Sequence, residues 1–174
     1  MHKFPLALIA VSFLAACDSS ASKAGQPATV EPEAPAASQS PSSPAPVALP
    51  SIDVQNAQTF VQGDSTLVPL TFERTGSISV KGKVAGYTAP VYAVPVAAGQ
   101  TLSANFTPGN TNLYFNISDA TDHSGTALHR GEVDGMQASL KADRDTTFVI
   151  TVFQPRAMAR RGETGDFDLS VSRD

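Results

Sequence analysis

The chain has 174 residues, of which 41% are hydrophobic and 16% are charged, and its formal net charge is −4. A weakly acidic chain without a basic stripe argues against a nucleic-acid partner. The single cysteine excludes an intramolecular disulfide, so a packed core must supply the stability. The sequence also lacks a Gly-x-Ser-x-Gly nucleophile, a phosphate-binding loop and a His-Glu-x-x-His zinc motif. We therefore expect no enzyme, no cofactor and no resident metal.

Residues 1–16 have the pattern of a secretory leader. A short basic start precedes an apolar run that is too short to span a bilayer. The segment Leu14-Ala15-Ala16-Cys17 resembles the lipobox of bacterial lipoproteins. That resemblance implies cleavage before Cys17, lipidation of Cys17 and anchorage on the periplasmic side of a membrane. The alternative is a soluble secreted protein whose leader contains a cysteine by chance.

The residue after the lipidated cysteine bears on which membrane is involved. Asp18 resembles the signal that retains enterobacterial lipoproteins in the inner membrane. From residue 17 to residue 50, Ala, Ser and Pro dominate and large apolar residues are nearly absent. Such a composition cannot offset the entropy of ordering. We predict that residues 17–50 form a lipidated, disordered tether.

Residues 51–174 are predicted to form one all-β domain. Apolar and polar residues alternate with period two, which is typical of strands with one buried face. The segment Phe148–Phe153 is apolar or β-branched throughout, as expected for a central strand covered on both faces. Turn signals separate these segments, so we predict a single antiparallel β-sandwich of about eight strands. The alternating segments are 78–84, 102–106, 113–117 and 167–171.

A long connection, residues 154–165, interrupts this pattern. It contains a short stretch of helix formers from residue 157 to residue 160 and three arginines, Arg156, Arg160 and Arg161. Long loops in compact domains are often functional, and arginine forks suit the recognition of carboxylates. The alternative is that the arginines hold the loop in place by pairing with nearby acids, which are Glu163, Asp166 and Asp168.

Two further clusters, a pair of tyrosines and a group of acidic residues, each allow a functional and a structural interpretation. Tyr87 follows a glycine in a predicted turn, and Tyr92 lies in the next strand. Either ring could bind a partner. The alternative is that Tyr92 is a core residue and that Tyr87 covers a sheet edge. Asp119, Asp122 and His123 lie close together and could suggest a metal. We interpret these three residues as a polar turn after a strand.

Several segments of the domain resemble one known family. They are similar to the periplasmic inhibitors of goose-type (g-type) lysozyme, and the general frame resembles the pre-peptidase C-terminal β-sandwich. The resemblance runs from about Thr75 to the C-terminus, without Pro108–Asp134. The segments are 82–87, 91–92, 98–101, 147–153, 156–164 and 166–172.

The resemblance implies a β-sandwich that inserts loops into the substrate cleft of lysozyme. By the family pattern, Arg156 and Arg160 would contact the enzyme and Tyr87 would assist, although Pro155 departs from that pattern. One rival is an envelope-polymer module that binds peptidoglycan or another carbohydrate through Tyr87, Tyr92 and Tyr114. A structural envelope lipoprotein that packs against a protein partner is a third possibility.

The lipoprotein interpretation can be tested at its acceptor thiol. We expect Cys17→Ala to lose palmitate labelling and to be left uncleaved or mislocalised, because no other thiol can accept the lipid. Cell fractionation with labelled palmitate measures both properties. A variant that remains labelled and membrane-bound would show that Cys17 is not the anchor.

Overall fold

The computed structural model describes residues 48–72 and 76–174. The predicted leader, Cys17, Asp18 and the tether up to residue 47 lie outside these residues. Within the described residues, no helix has the length and apolar character needed to cross a membrane.

The described residues form nine strands and three short helices. The helices are α1 (Val54–Gln58), α2 (Gly131–Asp134) and α3 (Arg156–Arg160). The strands are β1 (Thr66–Pro69), β2 (Gly76–Ala85), β3 (Pro90–Val96), β4 (Thr101–Pro108), β5 (Tyr114–Asp119), β6 (His129–Arg130), β7 (Gln137–Lys141), β8 (Thr146–Phe153) and β9 (Thr164–Arg173).

The strands form two sheets that enclose the core. One sheet has five strands in the order β1-β3-β8-β5-β6, and the other has four in the order β2-β9-β4-β7. The prediction of an all-β sandwich is confirmed, with β6, a strand of two residues, bringing the number to nine. The β1–β3 pair is parallel, whereas the other pairs are antiparallel. The reason is that β2 lies in the other sheet, so the chain crosses over before it returns beside β1.

Aromatic rings fill the space between the sheets. The ring of Phe106 lies 5.3 Å from those of both Phe115 and Phe167, centroid to centroid. Gly82 is paired with Phe167 across β2 and β9, and a Cβ at Gly82 would overlap this ring. The glycine in the alternating segment 78–84 therefore leaves room for an aromatic side chain. Burial of such rings is a large part of the hydrophobic stabilisation of a small domain.

A second, smaller apolar cluster lies on the outer face of the five-stranded sheet. Ala57 of α1 packs there with Val91, Ala93 and Val149. The other face of β8 contributes Ile150 to the main core. The first part of the central strand is therefore covered on both faces, as its apolar sequence predicted, whereas Thr151 and Phe153 at its end are only half-buried.

Helix α1 was not expected from the sequence. Asp53 caps it by accepting a hydrogen bond from the backbone N–H of Asn56 at 3.1 Å, and this bond lowers the pKa of Asp53. The backbone N–H of Asp53 in turn donates to Oγ1 of Thr147 on β8 at 2.9 Å. Five residues are too few for a helical period to be visible in a sequence, and packing on β8 stabilises the helix instead.

The double-covered strand provides a test of the fold. Ile150 is fully buried, so Ile150→Ala should lower the free energy of unfolding by about 2–5 kcal/mol through lost transfer energy and the remaining cavity. Urea unfolding of the full-length protein measures this change. Ser77→Ala, at an exposed position of β2, is the control and should stay within about 0.5 kcal/mol. Equal midpoints for both variants would contradict the described core.

Candidate functional site

The long connection forms a short helix with defined ends. The carbonyl oxygen of Pro155 accepts hydrogen bonds from the N–H groups of Met158 at 2.9 Å and Ala159 at 3.0 Å, which begins α3. Proline is tolerated at this point because the first N–H groups of a helix have no intrahelical partner. At the other end, Gly162 adopts a positive φ of 70°, and the N–H of Glu163 returns to the carbonyl of Met158 at 3.2 Å. We call residues 154–163 the arginine loop.

The three arginines of this loop have different surroundings. Arg161 forms an ion pair with Glu163 at 2.7 Å, and its guanidinium also contacts the sulfur of Met158. Arg156 and Arg160 are exposed, and within residues 48–72 and 76–174 neither side chain has an ion-pair or hydrogen-bond partner. The structure therefore supports the loop-pinning alternative for Arg161 and not for the other two.

Arg156 and Arg160 are the first and last residues of α3. Residues four apart lie on the same face of a helix, so the two guanidiniums are presented together. Ala157 is exposed and small, Met158 is half-buried and Ala159 is buried. The helix thus presents two cations and an alanine to the outside.

Tyr87 lies in a turn that rests against the arginine loop. Its side chain is 64% exposed, which is unusual for a large aromatic residue. Gly86 precedes it with a φ of 59°, a conformation that favours glycine. The N–H of Gly86 donates to the carbonyl oxygen of Glu163 at 2.9 Å, which joins the turn to the loop. We call residues 86–89 the tyrosine turn.

A buried amide side chain strengthens this junction. Gln154, 7% exposed, donates from Nε2 to the carbonyl oxygens of Gly86 at 2.9 Å and Glu163 at 2.8 Å. One side chain therefore bonds both the tyrosine turn and the arginine loop. The sequence patterns did not single out Gln154. The available signal was a glutamine placed directly after the apolar central strand, where a polar group needs internal partners.

The other two tyrosines are placed differently. Tyr92 is 3% exposed and packs edge-on against Phe167 with ring centroids 6.4 Å apart; burial raises its pKa to about 12. The interpretation of Tyr92 as a polymer contact is therefore wrong, because its ring points into the core. Tyr114 lies outside the main core, with its ring 6.0 Å from that of Phe153, and its hydroxyl donates to the carbonyl of Thr111 at 3.3 Å.

The acidic cluster after β5 is a hydrogen-bonded turn. Burial alone would raise the pKa of Asp119, but bonds from Thr121 and Thr146, with the nearby Arg144 guanidinium, outweigh burial and lower it. Asp122 accepts a bond from the N–H of Ser124, which lowers its pKa. Over the described ranges, no group of three or more His, Cys, Asp or Glu side chains could hold a metal ion.

Comparisons with known proteins place the chain in a family. No family model matches the sequence, and no curated protein matches it significantly. Among solved structures, PliG of Aeromonas hydrophila, a periplasmic inhibitor of g-type lysozyme, is 33% identical with a TM-score of 0.56, over 63% of this chain and 97% of that one. At this level of identity and coverage, the chain belongs to the PliG family of periplasmic inhibitors of g-type lysozyme.

More distant structures have lower scores. A PliG mutant from Escherichia coli is 19% identical with a TM-score of 0.49, over 64% of this chain and all of that one. The pre-peptidase C-terminal domain of a Bacillus anthracis collagenase is 11% identical with a TM-score of 0.41, over 66% of this chain and 98% of that one.

The double hydrogen bond of Gln154 can be tested directly. Gln154→Ala should lower the free energy of unfolding by about 1–3 kcal/mol, because the carbonyls of Gly86 and Glu163 lose a donor. Thermal unfolding measures the loss, and amide hydrogen exchange at Gly86 should become faster. Gln137→Ala, exposed on β7, is the matched control and should change neither quantity. A Gln154 variant indistinguishable from that control would show that the amide does not hold the two segments.

Proposed function

We propose that the protein is a non-enzymatic inhibitor of g-type lysozyme that blocks the enzyme's substrate cleft with the arginine loop. The observation that carries this proposal is the pair Arg156 and Arg160, two exposed guanidiniums on one helical face without a carboxylate partner in the described residues. Membership of the PliG family supports g-type lysozyme as the partner.

The chemistry of the partner fits the two cations. Lysozyme cleaves a glycosidic bond with at least one essential carboxyl group in its cleft. A guanidinium forms charge-assisted and often bidentate hydrogen bonds with a carboxylate, and such bonds are stronger in a cleft from which water is excluded. Arg156 and Arg160 could then occupy the space of the sugar chain without any chemical step.

The loop is suited to enter a cleft without a large entropic penalty. Hydrogen bonds from both ends of α3 and from Gln154 define its backbone before binding. A preformed loop loses less conformational freedom on association than a flexible one. Tyr87 projects from the neighbouring turn, and tyrosine and arginine are the residue types enriched at binding hot spots. We assign Tyr87 to the rim of the interface.

The position of the protein in the cell is part of the proposal. The periplasmic relatives support a periplasmic location, and the lipobox-like sequence at Cys17 supports a lipid anchor in the membrane. Asp18 favours the inner membrane. An extended tether over residues 17–50 could reach roughly 100 Å, enough to hold an inhibitor beside the cell wall.

The arginine pair gives the decisive variants. Arg156→Ala and Arg160→Ala should each weaken inhibition of g-type lysozyme by at least about tenfold, since a cleft carboxylate loses its partner. Both should melt at the temperature of the unchanged protein, because neither side chain has a partner to lose in the described structure. Inhibition constants and melting temperatures are measured on the same preparations.

Arg161→Ala is the matched control for these two variants. It removes an arginine from the same loop, but this arginine is already bonded to Glu163. Its effect on inhibition should therefore be smaller than that of Arg156→Ala or Arg160→Ala. The loop-pinning alternative predicts the opposite pattern, with lower melting temperatures for the Arg156 and Arg160 variants and unchanged inhibition. A full-length protein that inhibits no lysozyme would overturn the proposal.

A further inference from the structure

An open cleft of about 420 Å³ lies on the outer face of the five-stranded sheet, next to the tyrosine turn. One wall is the segment after α1, including Phe60, and the other is the loop 122–127. The rings of Phe60 and His123 lie 6.4 Å apart, so the two walls approach each other. Tyr87 and Gln154 also border the cleft. Its volume lies within the range of small-ligand sites, roughly 300–1,000 Å³.

The floor of the cleft is polar where the neighbouring surface is apolar. Under α1 the sheet presents apolar side chains such as Ala93 and Val149. Beside them it presents Asn116, Ser118 and Thr151, of which Asn116 and Thr151 are directly paired across β5 and β8. The sheet is thus apolar where it packs with α1 and polar in the cleft beside it, so the floor of the cleft has hydrogen-bonding groups.

Asn116 has an unpaired atom in this floor. Its Oδ1 is buried, and among the described residues it has no hydrogen-bond partner. Buried amide oxygens in native proteins are nearly always bonded, so an unpaired one beside a cleft indicates a site for an external donor. A turn of the Asn116 amide toward the cleft would let a ligand O–H or N–H bond this oxygen. The hydroxyls of Ser118 and Thr151 can both donate and accept.

The walls of the cleft indicate the charge and the apolar surface that a ligand would need. Phe60, Tyr87 and Phe153 supply aromatic surface. Among the described residues that border the cleft, Asp122 alone carries a formal charge, and its carboxylate already accepts a bond from the N–H of Ser124. An uncharged ligand with several hydroxyl or amide groups and an apolar flat face fits these walls. A sugar ring has this combination.

We propose that the cleft is a saccharide-binding site that takes a neutral sugar unit bearing hydroxyl or acetamido groups. The site is separate from Arg156 and Arg160, and the proposal does not depend on lysozyme inhibition. It shares Tyr87 with the proposed lysozyme interface, so a bound glycan and a bound enzyme would meet at this ring. A glycan site would hold the protein at a sugar polymer through the sheet face rather than through the arginine loop.

The test uses the full-length protein and the trisaccharide of N-acetylglucosamine, whose acetamido N–H can donate to Asn116. Isothermal titration should show saturable binding. Thr151→Val, which removes a hydroxyl at nearly constant shape, and Asn116→Ala should each weaken binding at least about fivefold. Asn116→Ala should not lower the melting temperature, because it removes an unpaired buried atom rather than a bonded one.

Matched controls lie on the outer face of the other sheet and on α3. Asn105→Ala and Ser170→Ala should bind the trisaccharide like the unchanged protein, and so should the Arg156→Ala and Arg160→Ala variants. Maltotriose, which lacks acetamido groups, should bind more weakly than the first sugar. The proposal is overturned if neither sugar binds saturably, if Thr151→Val and Asn116→Ala bind as well as the controls, or if trialanine binds more tightly than both sugars.

Discussion

The proposed interface depends on one junction, at which the buried side-chain amide of Gln154 bonds the tyrosine turn to the arginine loop. Its Nε2 bonds the carbonyl oxygens of Gly86 and Glu163, which belong to segments far apart in the sequence. The pairing of β2 with β9, which runs to Ala85 and Thr164, brings the tyrosine turn and the arginine loop together, and the amide then joins them. Without the amide, the carbonyl oxygen of Gly86 would lose this donor, whereas that of Glu163 would keep the bond from the N–H of Gly86. A polar group left without a partner away from water is costly. This junction holds the turn that carries Tyr87 beside the loop that carries Arg156 and Arg160.

Gln154 directly follows β8, the central strand of the five-stranded sheet. The main core packs on one face of β8, and the α1 cluster covers the other face at Val149. The first residue of the arginine loop therefore has a fixed position, because the strand before it is packed in the core. The cationic side chains are thus held at the end of a well-packed element, which is how a binding loop keeps its shape without being buried itself.

Sequence patterns predicted the sandwich and the central strand, and they identified the helix formers at 157–160 that lie in α3, because these features depend on local periodicity and residue type. They did not reveal α1, because a helix of five residues is too short to show a helical period. They also did not reveal the parallel pairing of β1 with β3, which depends on the crossover through β2. Gln154 and the cleft around Asn116 were also missed. Both arise from contacts between distant segments, and a single amide in a sequence carries no information about such partners.

The central claim is that the arginine loop occupies the substrate cleft of a g-type lysozyme. Steady-state kinetics of a goose-type enzyme on a soluble oligosaccharide, at several concentrations of the full-length protein, tests it most directly. If the loop occupies the cleft, inhibition is competitive: the apparent KM rises linearly with the inhibitor concentration, and kcat is unchanged. A fall in kcat at constant KM, or no inhibition at any concentration, would contradict it.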